Sequence, residues 1–253
     1  MKLNEMITVE DETIAPRLVL YGVHGIGKTT FGSKLPKPVF VRTEDGMKGH
    51  LFKDVARLPL CDKIEDVVNQ LQMLLSQEHE FKSVVVDSVD WMELLVHKMM
   101  AERANVKDVS DIGYQAGYKG AATAMLSILN LLSEINRRRN MLICLLGHSQ
   151  ITKFNSPDHE PYDRYGLSLH KNCEPLVYEW ADCCLFVNYK TFTKKVDESF
   201  GKDKYQAVGI GERVMYSEER PAFHAKNRYG LPSEMKFDWA ELANFMFNKR
   251  VEE

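Results

Sequence analysis

Eight residues near the N-terminus have the types and spacing of a phosphate-binding loop. Residues 22–29 read GVHGIGKT and fit the pattern G-x-x-x-x-G-K-[ST] at every fixed position. Glycines let the backbone curl so that several N–H groups point at one phosphate, and the dipole of the following helix adds to their field. In such a loop the lysine reaches the β- and γ-phosphates, and the hydroxyl after it binds Mg²⁺. We therefore predict a site for ATP and Mg²⁺ at Gly22, Val23, His24, Gly25, Ile26, Gly27, Lys28, Thr29 and Thr30, with Lys28 also assisting catalysis.

Two acidic residues end neighbouring strands of the predicted sheet. Asp87 closes the apolar run SVVVD, where a carboxylate beside the loop is placed to hold Mg²⁺ together with Thr29. Its alternative role is to cap the helix that follows. Glu44 follows the preceding strand, where a carboxylate can orient and polarise the water that attacks the γ-phosphate. We predict Glu44 as the catalytic base, and Asp45 is its direct competitor.

Polar residues also follow a third apolar run, residues 141–147 (MLICLLG). Side chains there would lie beside the γ-phosphate and report its loss to the next loop. The alternative is a polar strand end with no role in sensing. His148 and Gln150 are the candidate sensors.

Apolar periodicity indicates the elements that must position these residues. Buried strands are predicted at 17–21, 38–43, 83–87 and 141–147, and helices are predicted at 64–76, 91–103 and 118–138. A short helix follows the glycine loop. Strands that are nearly continuous apolar runs and alternate with helices predict an α/β fold with a largely parallel sheet flanked by helices.

The pattern changes near residue 183. Alternating runs predict antiparallel strands at 185–195, 206–217 and 222–226, followed by a closing helix at 239–249. Because one set of motifs spans most of the length, we predict a single domain over 1–253. Its parts are an extended N-terminal segment at 1–15, the α/β core, and antiparallel strands appended over 185–226.

Taken in order, these motifs resemble those of the RecA-like P-loop ATPases, in particular a small phage-encoded group linked to recombination and single-strand annealing. The resemblance covers residues 17–232. It begins with the glycine loop, the acid after the second strand, and Asp87 followed by Ser88. It continues through 111–118 (DIGYQAGY), 147–150 (GHSQ) and 226–230 (KNRYG). The sensor reads His-Ser-Gln where RecA proteins have Asn-Gln.

The resemblance implies a RecA-like core and further roles. Lys226 and Arg228 look like a late basic motif whose side chains reach the nucleotide of a neighbouring subunit, which would make them catalytic in trans. The partners implied are further copies of this chain, in a ring or a filament, and single-stranded DNA. A single-strand-binding protein is a further candidate partner. The location implied is the cytoplasm, that of the host cell if the chain is phage-encoded.

Residues 151–173 form a long stretch without a helical or strand pattern, and loops of this length are usually functional or disordered. Basic residues mixed with aromatic ones suit a single strand, since they supply phosphate neutralisation and stacking faces. A packing loop or lid without a DNA role is the alternative, because acidic residues dilute the charge. The candidate DNA-binding residues are Lys153, Phe154, Arg164 and Lys171.

Composition limits the remaining classes of protein. A net charge of −3 over 253 residues does not by itself indicate nucleic-acid binding, so any such binding must come from local patches. Five cysteines without a metal-like pair predict reduced thiols, and we expect no membrane span and no signal peptide. Two other functions stay open on the same loop: a kinase for a small metabolite, and a nucleotide-gated scaffold that does not hydrolyse ATP.

Overall fold

A computed structural model of the chain describes residues 14–158, 160–199 and 202–248. The predicted N-terminal segment over 1–15 falls almost entirely outside these residues. The strands are β1 (Arg17–Gly22), β2 (Pro38–Arg42), β3 (Ala56–Leu60), β4 (Ser83–Asp87), β5 (Leu142–Phe154), β6 (Tyr162–Leu167), β7 (Cys183–Ser199), β8 (Lys202–Tyr216), β9 (Lys226–Asn227) and β10 (Glu234–Lys236). The helices are α1 (Lys28–Gly32), α2 (Ile64–Ser76), α3 (Val89–Arg103), α4 (Ala116–Arg139), α5 (Glu174–Trp180) and α6 (Trp239–Ala243), with a π-helical turn at Asn244–Asn248.

One sheet carries all ten strands, and its main path runs β10-β8-β7-β1-β5-β4-β2-β3. Pairing is parallel from β7 through β1, β5, β4 and β2 to β3. Antiparallel pairs join β8 to β7 and to β10, β6 to β5, and β9 to β7. The predicted α/β class, with a largely parallel sheet flanked by helices and antiparallel strands near the C-terminus, is confirmed.

Successive residues of the central strands face opposite sides, so the sheet separates two apolar layers. In β1, Val19 and Tyr21 face the layer made with α2 to α5, while Leu18 and Leu20 face the layer made with α1 and the C-terminal segment. Residues 18–21 are all fully buried. Burial on both faces explains why the parallel strands read as continuous apolar runs. All five cysteines are buried and free.

Three predicted segments differ from the structure. The stretch 151–173 is not irregular, because β5 continues to Phe154 and pairs with β6 in an antiparallel hairpin. The strand predicted at 222–226 is reduced to the two residues of β9. The strand predicted at 185–195 is not wholly antiparallel. It corresponds to β7, whose first residues pair in parallel with β1 and so belong to the central sheet. Edge strand β3 is an addition to the predicted elements.

The candidate nucleotide-binding residues gather at the carboxyl ends of the parallel strands. Because β1, β5, β4 and β2 are parallel, the segments after them lie at one edge, and this edge carries the glycine loop and residues 44, 87 and 148. In the described part of the chain, no helix is both long and apolar enough to cross a membrane.

Candidate nucleotide site

The loop after β1 takes its shape from its glycines. Gly25 and Gly27 have φ values of 72° and 104°, in the left-handed region that other residues avoid. Gly22 serves packing instead, since a Cβ at this position would lie 2.2 Å from the carbonyl oxygen of Val187 on β7. Gly27 is the N-cap of α1, so the first turn of the helix, with Thr29 and Thr30, points its free N–H groups at the loop.

Lys28 is folded over this loop. Its Nζ donates hydrogen bonds to the carbonyl oxygens of Gly22 at 3.0 Å and Val23 at 3.1 Å. Burial lowers the pKa of Lys28 from its ordinary value, although nearby carboxylates partly oppose this. A desolvated cation folded over a glycine loop at the start of a helix is suited to bind an anion.

Thr29 and Asp87 meet directly. The Thr29 hydroxyl donates a hydrogen bond of 2.8 Å to Oδ2 of Asp87, which is almost fully buried. Burial raises the pKa of Asp87, and the hydrogen bond from Thr29 acts in the opposite direction. A hydroxyl and a carboxylate in contact are the hard oxygen ligands that Mg²⁺ prefers, so this pair fits the metal. No cluster of three or more His, Cys, Asp or Glu side chains suited to a metal ion occurs within the described ranges.

Glu44 stands beside Asp87. Its backbone N–H donates to the Asp87 carbonyl oxygen at 3.3 Å, which brings the turn after β2 against the end of β4. Burial, and then the charge of Asp87, raises the pKa of the Glu44 carboxyl. The competitor Asp45 is exposed and paired with Lys48 at 2.8 Å. Of the two acids, Glu44 is therefore the one whose carboxyl group lies within the electrostatic field of Asp87, His148 and Lys28.

His148 lies against the glycine loop. Its ring stacks on that of His24, with centroids 4.0 Å apart and planes 20° apart. Asp90 fixes the residue on its other side, since His148 Nδ1 lies 2.8 Å from Oδ2 and the backbone N–H donates to Oδ1 at 3.0 Å. Burial alone would raise the pKa of Asp90, but the hydrogen bonds and charge of His148 outweigh it, so the pKa is lowered.

Gln150 is turned toward the hairpin. Its Nε2 donates to the carbonyl oxygens of Leu167 and Leu169, both at 3.0 Å. The two candidate sensors therefore occupy different positions. His148 touches the loop, and Gln150 holds the end of β6.

The structure adds one residue that no motif signalled. Arg213 on β8 donates a hydrogen bond of 3.0 Å from Nη1 to the carbonyl oxygen of Ile26. In the sheet, β8 lies on the opposite side of β1 from β2, the strand before Glu44. Arg213 lies 187 positions from Ile26 in an ordinary strand pattern. Only the pairing of β8 with β7, and of β7 with β1, brings it to the loop.

The candidate DNA residues lie on or after the β5–β6 hairpin. Lys153, Phe154 and Lys171 are exposed. Arg164 is 9% exposed, lies 4.7 Å above the Phe154 ring, and is paired with Glu219 at 3.3 Å. Lys153 and Phe154 are therefore accessible on the hairpin surface, whereas Arg164 is largely covered.

The candidate trans residues lie at the opposite edge of the sheet. Lys226 Nζ donates to the carbonyl oxygens of Tyr178, Glu179 and Ala181 at the end of α5. Arg228 is half exposed and lies 3.3 Å from Asp182, which also pairs with Arg17 at the start of β1. Since β1 has six residues, Arg228 lies roughly 17 Å or more from the loop of its own chain.

Comparison with known proteins gives one family. The model of the AAA_24 family, described as an AAA domain, matches residues 14–229. No curated protein matches the chain. Among solved structures, the crystal structure of the RadB recombinase is similar with a TM-score of 0.47 and 16% identity, over 88% of this chain and 89% of that one. The chain carries a nucleotide-binding P-loop core and belongs to the AAA_24 family of AAA domains.

Proposed function

We propose that the protein hydrolyses ATP with Mg²⁺ and acts as a homo-oligomer on single-stranded DNA, in recombination or annealing of the phage type. The observation that carries the ATPase assignment is the contact chain from Thr29 to Asp87 to Glu44. It joins a hydroxyl, a metal-type carboxylate and a half-buried acid next to the phosphate-binding lysine. Such a set is needed to hold a metal–phosphate group and to activate water beside it.

In this proposal the loop N–H groups and Lys28 bind the phosphates, and Thr29 and Asp87 hold Mg²⁺. When bound, the metal neutralises charge that builds on the phosphate oxygens. Glu44 accepts the proton of the attacking water as its oxygen bonds to the γ-phosphorus and the bond to the bridging oxygen breaks. The raised pKa of Glu44 supports this role, since a stronger base near neutral pH is a better proton acceptor.

Sensing is assigned to His148 and Gln150. His148 contacts the loop through His24, and Gln150 holds the carbonyl groups at the end of β6. Because both belong to β5, a shift of this strand when the γ-phosphate leaves would reach the hairpin. This supports a link between the nucleotide and the proposed DNA-binding surface.

Single-stranded DNA is assigned to the β5–β6 hairpin. Lys153 and Lys171 supply exposed cations, and Phe154 supplies an exposed ring to stack a base. Arg164 contributes by packing its guanidinium against one face of the Phe154 ring. The hairpin includes the end of β5, the strand that carries His148 and Gln150. This continuity favours the hairpin over other surface segments as the DNA-binding surface.

Neighbouring subunits complete the site. Arg228 cannot reach the loop of its own chain, so a catalytic role for it requires a second copy, in a ring or filament. Lys226 caps α5 and holds β9 in place, which positions Arg228 two residues later. A single-strand-binding protein as partner, and the cytoplasm as location, belong to the same proposal.

The test is ATP turnover with Mg²⁺, measured with and without single-stranded oligonucleotide. We expect turnover that needs Mg²⁺ and that rises when the oligonucleotide is added. Transfer of phosphate to a small metabolite would support the kinase alternative. Nucleotide binding without turnover in either condition would contradict the ATPase assignment.

A further inference from the structure

The order of the strands fixes the direction in which a nucleotide crosses the loop. Glu44 follows β2, Asp87 ends β4 and His148 lies within β5, and all three strands are on one side of β1. The γ-phosphate must face them if they act on it. The other end of the nucleotide then leaves toward the opposite side of β1, where β7 and β8 lie.

Arg213 occupies that opposite side. Its Nη1 bonds the Ile26 carbonyl oxygen at 3.0 Å, and a Cβ on Gly27 would lie 2.6 Å from the same nitrogen. The guanidinium therefore rests against the loop where α1 begins.

The Arg213 guanidinium has further N–H donors that could bind a ligand. One of its five N–H groups is used by Ile26, and no carboxylate of residues 14–158, 160–190 or 211–248 lies at ion-pair distance from Arg213. Every other arginine of the sites above has an acidic partner, as Arg17 and Arg228 have in Asp182. An exposed guanidinium without such a partner, at the edge of a phosphate-binding loop, is suited to bind a phosphate through two donors.

Phe237 holds this arginine in place. Its backbone N–H donates to the Arg213 carbonyl oxygen at 3.2 Å, and its ring centroid lies 5.8 Å from the guanidinium carbon. The Phe237 ring also stacks on that of Phe31 of α1, with centroids 5.1 Å apart and planes 6° apart. The guanidinium is thus tied to the helix that follows the loop.

From these contacts we propose that Arg213 binds the phosphate nearest the ribose, the α-phosphate of ATP or ADP, and that Phe237 positions it. This inference rests on the proposed nucleotide site and adds to it a phosphate contact on the side of β8. Arg213 acts within its own subunit, unlike Arg228. It contributes to binding in both nucleotide states, because the α-phosphate is present before and after hydrolysis.

The experiment measures ADP and ATP binding by calorimetry in the full chain carrying Arg213→Ala or Arg213→Gln. Glutamine can still donate to the Ile26 carbonyl but carries no charge. We expect both variants to lose about tenfold or more in affinity, equally for ADP and ATP, which is the size of a charge-assisted hydrogen bond. Phe237→Leu should give a smaller loss in the same direction.

Arg220→Ala is the matched control, because Arg220 also lies over an aromatic ring, that of Tyr216 at 5.6 Å, but away from the loop. Thermal unfolding confirms that each variant is folded. Unchanged ADP affinity in both Arg213 variants, or a loss for ATP alone, overturns the assignment. Full affinity in Arg213→Gln also overturns it, since Arg213 would then only support the loop. Binding by the unaltered protein tests the nucleotide site separately.

Discussion

The Thr29 hydroxyl lies 2.8 Å from the Asp87 carboxylate, although β5 separates the strand before Thr29 from the strand that ends at Asp87. The contact is possible because α1 begins directly after the loop and carries Thr29 back across the edge of the sheet. Two residues 58 positions apart thereby form the pair of oxygen ligands on which the proposed Mg²⁺ site depends.

Lys28→Ala should weaken ATP binding by at least about tenfold, since it removes a charge-assisted contact to phosphate. Calorimetric titration with ATP measures the effect, and circular dichroism checks the fold. Lys34→Ala is the control, because Lys34 is exposed and paired with Asp238 at 3.3 Å. Parental ATP affinity in folded Lys28→Ala protein would contradict the phosphate-loop assignment.

Glu44→Gln should keep ATP binding and lower turnover by about a hundredfold or more, the usual effect of losing a general base. Steady-state phosphate release measures turnover. Asp45→Asn is the matched control and should leave turnover unchanged, since Asp45 is exposed and held by Lys48. The reverse pattern would assign the base to Asp45.

Arg228→Ala should keep ATP binding and lower turnover roughly a thousandfold, as loss of a cation supplied by a neighbour does. Mixing it with Lys28→Ala subunits should restore part of the activity, because an intact loop can then meet an intact arginine. Co-assembly is checked by mass in solution. No recovery in mixed assemblies, or full activity in a strict monomer, would exclude the trans role.

Lys153→Ala combined with Phe154→Ala should weaken binding of single-stranded oligonucleotide and reduce its salt dependence. Each lost phosphate contact lowers the slope of log affinity against log salt by about 0.7. Fluorescence anisotropy at several salt concentrations measures both quantities. Lys37→Ala is the control, since Lys37 precedes β2 at the other edge of the sheet and pairs with Glu80. Equal slopes for the two variants would remove the hairpin from the DNA site.

Asp90→Asn should lower the free energy of unfolding by about 1–3 kcal/mol at pH 7, because His148 then loses a charged acceptor. The pKa of Asp90 is lowered from 3.8 in the folded state, so its stabilisation is present above pH 3.8 and is lost as the pH falls below that value. Urea unfolding at several pH values should show the difference from the parent protein shrinking in acid. Asp54→Asn, at an exposed position, should change nothing. A difference that grows as the pH falls below 3.8 would contradict the contact assigned between Asp90 and His148.

The local sequence pattern was sufficient to predict the central helices and strands. The apolar period over 64–76 predicts α2 with the bounds that the structure has, and the run SVVVD predicts β4 in the same way. Both signals are complete within a few residues, because side-chain direction repeats every 3.6 residues in a helix and every two in a strand. The glycine loop is local for the same reason, since its backbone angles depend on the glycines themselves.

Long-range pairing decided the rest. Strand β3 is half exposed and contains Pro59, so it has little apolar signal and exists because β2 offers it a partner. The hairpin over residues 149–167 likewise depends on the pairing of two segments, which no short stretch of sequence encodes. The placement of Arg213 at the loop and of Arg228 away from it follows from the order of β1, β7, β8 and β9 in the sheet. Residue types and spacing determined which chemistry the chain can perform, whereas the strand order determined which charges surround the phosphates, because electrostatic contacts depend on distance in space and not along the chain.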